Sequence, residues 1–305
     1  MDKLLNAIIE SCRPFTREGK VACYIPELSK AEPDDLGICV MTQDRGVYCA
    51  GDCRKQFTMQ SVVKPMILLT AIMDRGLDRV RDLVGVEATG KPFDAFNYSD
   101  QALTGAHINP MVNAGAIALC TLIEGKDYAE RFERLLALTR KVADDPDLQV
   151  DEAVYQSEKL TGSKNRALAY MLKAYGMIDG DVEQLLECYF RACSIKVSSM
   201  DLARIAWVLA NKGVDPQSGE QLIPAEYTRH VNAILTTCGM YDGSGEFALN
   251  VGVPAKSGVG GGIMAVVPGR MGIGIYGPAL DGKGNSFAGT KVLEKLSSRL
   301  DLSIF

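Results

Sequence analysis

Histidine is nearly absent: of 305 residues only His107 and His230 carry an imidazole. Catalysis or metal binding built on histidine therefore has little raw material. No pair of cysteines has C-x-x-C spacing. The nine cysteines (Cys12, Cys23, Cys39, Cys49, Cys53, Cys120, Cys188, Cys193 and Cys238) are odd in number and scattered. Cys49 and Cys53 come nearest to a motif, but no second close pair or histidine stands at ligand spacing. They read as reduced thiols in a reducing compartment, without metal, so the expected location is cytoplasmic. No stretch approaches the ~20 apolar residues of a membrane span. The first ten residues, Met1 to Glu10, set apolar pairs between polar residues, which is an amphipathic helix and not the core of a signal peptide. Positive charge is not in excess either. The net charge of −5 gives no electrostatic reason to expect nucleic acid or an anionic membrane as partner.

What is present is a globular composition. With 47% hydrophobic and 23% charged residues, a packed core is expected and disorder is not. The length suits one domain over 1–305. Residues 36–41 read as a strand, Gln43 to Gly46 as a turn and Val47 to Ala50 as the returning strand. A short strand is expected at Gln56 to Met59. From Ser61 to Asp74 the pattern becomes an all-round apolar helix, with Pro65 tolerated in its first turn. Further helices are expected over Asn165 to Tyr175, over Glu183 to Cys193, and from an N-cap at Ser199 to Gly213. Strands return at Phe247 to Val253, Ala255 to Ser257, Ile263 to Val267 and Gly272 to Tyr276, with Pro268-Gly269-Arg270 as a hairpin link. A helix over Ser286 to Arg299 closes the chain. The expected architecture is α/β of the α+β type. Residues 1–60 and 245–305 form an antiparallel sheet lobe with flanking helices, and 61–244 form a mainly helical lobe.

One tetrapeptide carries chemistry. Ser61 and Lys64 stand three apart at the start of the apolar helix, so their side chains share a face. A serine hydroxyl needs a base to attack a carbonyl. Lysine serves only when neutral, and burial disfavours its ammonium. The helix N-terminus adds positive potential that favours an oxyanion. On its own the spacing is weak: a chain this long contains on the order of one Ser-x-x-Lys by chance. An N-cap serine beside a solvated lysine is the ordinary explanation. The late Lys256-Ser257-Gly258, entering a Gly-rich strand, changes the balance. Serine β-lactamases and penicillin-binding proteins combine these two elements. Their third, Ser-Asp-Asn, is missing. Ser99-Asp100-Gln101 is a near miss that a turn explains as well.

Several longer motifs stand in order: Gly19 to Leu28 (GKVACYIPEL), Phe57 to Pro65 (FTMQSVVKP) and Asn109 to Ile117 (NPMVNAGAI). They continue through Ser157-Glu158 with Asn165-Arg166, Gly239 to Gly245 (GMYDGSG) and Pro254 to Gly262 (PAKSGVGGG). In these motifs the chain closely resembles the bacterial glutaminase family, of the serine β-lactamase/DD-peptidase-like fold. The resemblance implies hydrolysis of L-glutamine to L-glutamate and ammonia, with Ser61 as nucleophile, Lys64 as base and Tyr241 as proton relay. Tyr189 is a second phenol for that relay. It also implies an oxyanion hole from the backbone N–H groups of Ser61 and Val259. The substrate's polar ends would meet Tyr24, Asn113, Glu158, Asn165 and Tyr189, with Glu158 facing the α-ammonium. No cofactor is implied, and a homo-oligomer, dimer or tetramer, is.

Each of these residues has an ordinary structural role as well. Asn113 can be a turn or cap residue, Glu158 a solvated helix charge, Tyr189 and Tyr241 packing residues, and Val259 a strand residue. Two other functions share the fold. A β-lactam or D-alanyl-peptide hydrolase would need the missing Ser-Asp-Asn and an exported chain. A non-catalytic glutamine-binding protein would not need the set of Ser61, Lys64 and Lys256.

Overall fold

The fold is that of a computed structural model, which describes residues 1–88, 90 and 108–305. Ser99-Asp100-Gln101 and His107 lie outside the described residues. The chain opens with α1 (Asp2–Cys12), then β1 (Lys20–Val21), β2 (Gly37–Thr42), β3 (Val47–Gly51) and β4 (Phe57–Thr58). A 3-10 turn, Gln60–Val63, runs into α2 (Lys64–Leu83), which Gly76 interrupts at φ 81°. The helical stretch continues with α3 (Asn113–Leu119), α4 (Tyr128–Ala143), α5 (Glu152–Thr161), α6 (Ser163–Ala174) and α7 (Val182–Cys193). After β5 (Lys196–Val197) come α8 (Ser199–Ala210), α9 (Ala225–Cys238) and α10 (Ser244–Asn250). The chain ends with β6 (Ala255–Ser257), β7 (Gly262–Val267), β8 (Met271–Tyr276), β9 (Ala279–Leu280) and α11 (Phe287–Leu300).

Strands from both chain ends make one five-stranded antiparallel sheet in the order β3-β2-β8-β7-β6. α1 and α11 cover one face, burying Leu5, Ile9, Val292 and Leu296 against Ile38, Val40, Ile273 and Ile275. α8 covers the other. It lies on the backbone of β8 because Gly272 and Gly274 present no side chain there: a Cβ on Gly274 would stand 2.0 Å from the Ser199 carbonyl. The larger core belongs to the helical lobe and centres on α2, where Met66 to Leu69 are fully buried. Each such side chain contributes about 1.5–3 kcal/mol relative to exposure.

Two local expectations are corrected. Phe247 to Val253 is not a strand. Phe247, Leu249, Val251 and Val253 alternate, but α10 buries Phe247 and leaves Leu249 85% exposed, so the spacing that counts is Phe247 to Val251. Gly252, at φ 74°, ends the turn. The N-cap of α8 is Ser198, not Ser199. Ser198 closes a capping box with Asp201, while Ser199 is already helical and buried; the box satisfies two end donors reciprocally.

Candidate active site

The cleft between the lobes is assembled from element ends. Ser61 lies in the 3-10 turn and Lys64 begins α2, so the backbone carries both to one point. The Lys64 Nζ donates to Ser61 Oγ at 3.0 Å and to Asn113 Oδ1 at 2.7 Å. Asn113 begins α3, and its Nδ2 donates to Asn165 Oδ1 of α6 at 2.9 Å. Ser61 is 6% exposed and Lys64 is fully buried. The long side chain of Lys64 is thus held by fixed polar partners at the cleft floor.

The Lys256-Ser257-Gly258 segment runs alongside. Gly258 is needed for close approach, since a Cβ there would stand 2.7 Å from the Met59 carbonyl and 3.2 Å from the Val62 nitrogen. Val259 follows and lines the cavity. Lys256 Nζ donates to the carbonyls of Gly239 (3.0 Å) and Ser257 (2.6 Å), and sits 4.3 Å from the Tyr241 ring centre. Burial, and then the charge of Lys64, drive Lys256 well below the usual lysine range. Tyr241 has φ 56° in a 3-10 turn, Tyr241–Gly243, a conformation that costs strain in a non-glycine residue. Burial pushes its phenol up, opposed by the neighbouring Ser61 hydroxyl.

Opposite, α5 and α7 bring Glu158 and Tyr189. Glu158 is 5% exposed and burial raises its carboxyl to about 8, against weaker lowering by Gln60, Lys64 and Cys193. Tyr189 is 2% exposed and burial carries its phenol well above its ordinary value, with the nearby Cys193 adding to it. These groups line a cavity of about 930 Å³ with Ser61, Asn113 and Asn165. Tyr24 reaches it from the rim and is 54% exposed. The antiparallel pairing of β1 with β9 holds the Tyr24 segment beside residues 281–284, which also line the rim.

Of the residues expected from sequence, Tyr24, Ser61, Asn113, Glu158, Asn165, Tyr189 and Val259 line one cavity, while Lys64 and Tyr241 are not among its lining residues. Ser61, Lys64, Asn113 and Asn165 form a continuous chain of hydrogen bonds, Glu158 and Tyr189 form the facing wall, and Tyr24 is peripheral. Gln60 and Cys193 are among the wall residues that escaped sequence reasoning. Gln60, 3% exposed at φ 48°, donates to Glu158 at 3.4 Å. Its place beside Ser61 was a usable signal. Cys193 lines the cavity beside Glu158 and Tyr189, and nothing in the sequence separates it from a core thiol. Among the described residues no cluster of His, Cys, Asp or Glu is arranged to hold a metal ion. No helix among them is long and apolar enough to cross a membrane.

An antiparallel sheet drawn from both chain ends, a helical lobe above it and a Ser-Lys pair facing a Lys-Ser-Gly strand define a hydrolase of the serine β-lactamase-like fold. The family model described as Glutaminase matches residues 19–305. The glutaminase of Clostridium tetani is 53% identical over 305 residues, all of both chains. That of Clostridioides difficile is 52% identical over 304 residues, covering all of this chain and 98% of its own. The covalent complex between a Bacillus subtilis glutaminase and 5-oxo-L-norleucine, formed from 6-diazo-5-oxo-L-norleucine, superposes with a TM-score of 0.92 at 39% identity. That match covers all of this chain and 99% of the other. The chain belongs to the glutaminase family and is an amide hydrolase.

Proposed function

We propose that the protein hydrolyses L-glutamine to L-glutamate and ammonia through a γ-glutamyl ester on Ser61. The observation that carries this reading is the 3.0 Å contact of Lys64 Nζ with Ser61 Oγ on the floor of the cavity. The Asn113 carbonyl oxygen takes one N–H of Lys64. A neutral amine held that way turns its lone pair to the serine hydroxyl. Ser61 loses its proton to Lys64 and attacks the γ-amide carbon. The N–H groups of Ser61 and Val259 receive the oxyanion. Tyr241, beside Ser61, passes a proton to the departing ammonia, with Tyr189 as the second phenol within the cavity. Water then cleaves the ester.

The substrate's ends are read by the wall. Glu158 takes the α-ammonium, while Asn113, Asn165, Tyr189 and Tyr24 bond the remaining polar atoms. A site of buried polar groups rejects analogues that leave them unpaired. Residues 1–305 act as one catalytic unit that needs no cofactor or metal. The protein works in the cytoplasm as a homo-oligomer, a dimer or homotetramer.

Purified protein should release ammonia from L-glutamine. Lys64→Ala should lower kcat by about 10²–10⁴-fold, and Ser61→Ala at least as much. Full activity in Ser61→Ala would overturn the mechanism. Nitrocefin turnover matching that of glutamine would point back to a β-lactam hydrolase, and glutamine binding without turnover to a binding protein.

A further inference from the structure

The edge of the sheet remote from the Lys256 strand carries three cysteines that the reaction does not use. Cys39 of β2 and Cys49 of β3 are directly opposed across the ladder. The N–H of Asp52 donates to the Leu36 carbonyl, and that of Thr42 to the Gly46 carbonyl. Counting in twos from these pairs makes 38/50 and 40/48 hydrogen-bonded pairs. Cys39 and Cys49 fall between them, at a non-hydrogen-bonded position, where Cα atoms approach to about 4.5 Å and side chains lie closest. Disulfides span Cα distances of about 4.4–6.8 Å. Both cysteines join the cluster of Ala203 and Trp207 under α8.

Cys53 lies just beyond β3, and its thiol is close enough to interact with that of Cys49. Cys39 is fully buried and Cys53 is 5% exposed, while Cys49 is half-buried. Cys49 is therefore the member that solvent reaches, with the other two thiols behind it. The neighbouring Cys39 thiol lowers the Cys49 thiol most, and Cys53 and the charge of Arg54 act the same way against burial. The thiolate is the nucleophile in sulfur chemistry.

We infer that Cys39, Cys49 and Cys53 form a thiol–disulfide exchange site, with Cys49 as the attacking sulfur and a low-molecular-weight disulfide as co-reactant. Cys49 thiolate attacks one sulfur of that disulfide. A mixed disulfide forms and one thiolate leaves. Cys39 or Cys53, as thiolate, then attacks the Cys49 sulfur. The intramolecular bond forms and the second small thiol leaves with the proton. Two protein thiols are oxidised by two electrons, and the small disulfide is reduced to two thiols. The product ties β3 to β2, or to the turn after β3.

The test is independent of the reaction at Ser61. Reduced, native protein is incubated with oxidised glutathione near neutral pH, quenched by alkylation, and mapped by peptide mass spectrometry. The expected result is a protein lighter by two hydrogen atoms, with Cys49 linked to Cys39 or Cys53. Cys49 should react about tenfold or more faster than the exposed Cys23. Cys49→Ser should abolish the intramolecular bond, and Cys53→Ser identifies which thiol closes it. Should either variant fail to fold, the map of the unsubstituted protein still decides. A glutathione adduct confined to Cys23, or a bond that forms only in denaturant, overturns the inference.

Discussion

Glu158 is the residue whose ionisation says most about the cavity. Its carboxyl has an ordinary value of 4.5 and is raised by burial to about 8. The folded protein thus favours the protonated acid. The stability it contributes is complete below about pH 4.5 and is lost as pH climbs through about 8. Glu158→Gln is neutral throughout, so its melting temperature should fall less between about pH 5 and pH 9 than that of the parent. An equal pH slope in both would show that Glu158 ionises as a solvated carboxylate. Substrate binding should carry the opposite sign, because the α-ammonium needs the ionised form. KM for glutamine should drop as pH rises through about 8, and Glu158→Gln should raise KM more than it lowers kcat.

Among elements, the contact of α8 with β8 is the most exacting. Gly272 and Gly274 leave the helix backbone resting on the strand, and a Cβ at Gly274 would overlap the Ser199 carbonyl. Gly274→Ala should therefore cost about 1–3 kcal/mol in denaturant unfolding, as overpacking of a closed core does. Unchanged stability would mean that α8 can lift from the sheet freely. The same elements show what the residues disclose. The β7–β8 hairpin was legible because Pro268-Gly269-Arg270 punctuates two strand-length apolar runs. The start of α2 was legible because Pro65 is allowed only in a first turn. Phe247 to Val253 was misread because alternation at a spacing of two hid the pair at a spacing of four, and only packing decides which is buried. Ser198 and Ser199 are both good caps by type, and the capping box with Asp201 chooses between them.

Across the whole molecule, the sheet joins the two chain ends and the cavity lies where that sheet meets the helical lobe. The antiparallel sheet was inferable from strands at both ends, but its order β3-β2-β8-β7-β6 was not. The residues of the proposed site could be named through the family resemblance, but their geometry could not. That Lys64 would be braced by Asn113, and Asn113 by Asn165, depends on three helix ends meeting. Cys193 entered the wall through the packing of α7 alone. The proposed homo-oligomer belongs to this scale. Light scattering coupled to size exclusion should give a mass two or four times that of the 33.0 kDa chain, and a monomer at micromolar concentration would contradict it.

In the proposed mechanism Ser61 Oγ carries the acyl group. The most direct test is a peptide mass map of the protein after exposure to 6-diazo-5-oxo-L-norleucine, the reagent that gave the Bacillus subtilis complex. The adduct should sit on Ser61, form at the rate activity is lost, and be absent from Ser61→Ala. An adduct on another residue, with glutamine turnover preserved in Ser61→Ala, would contradict it.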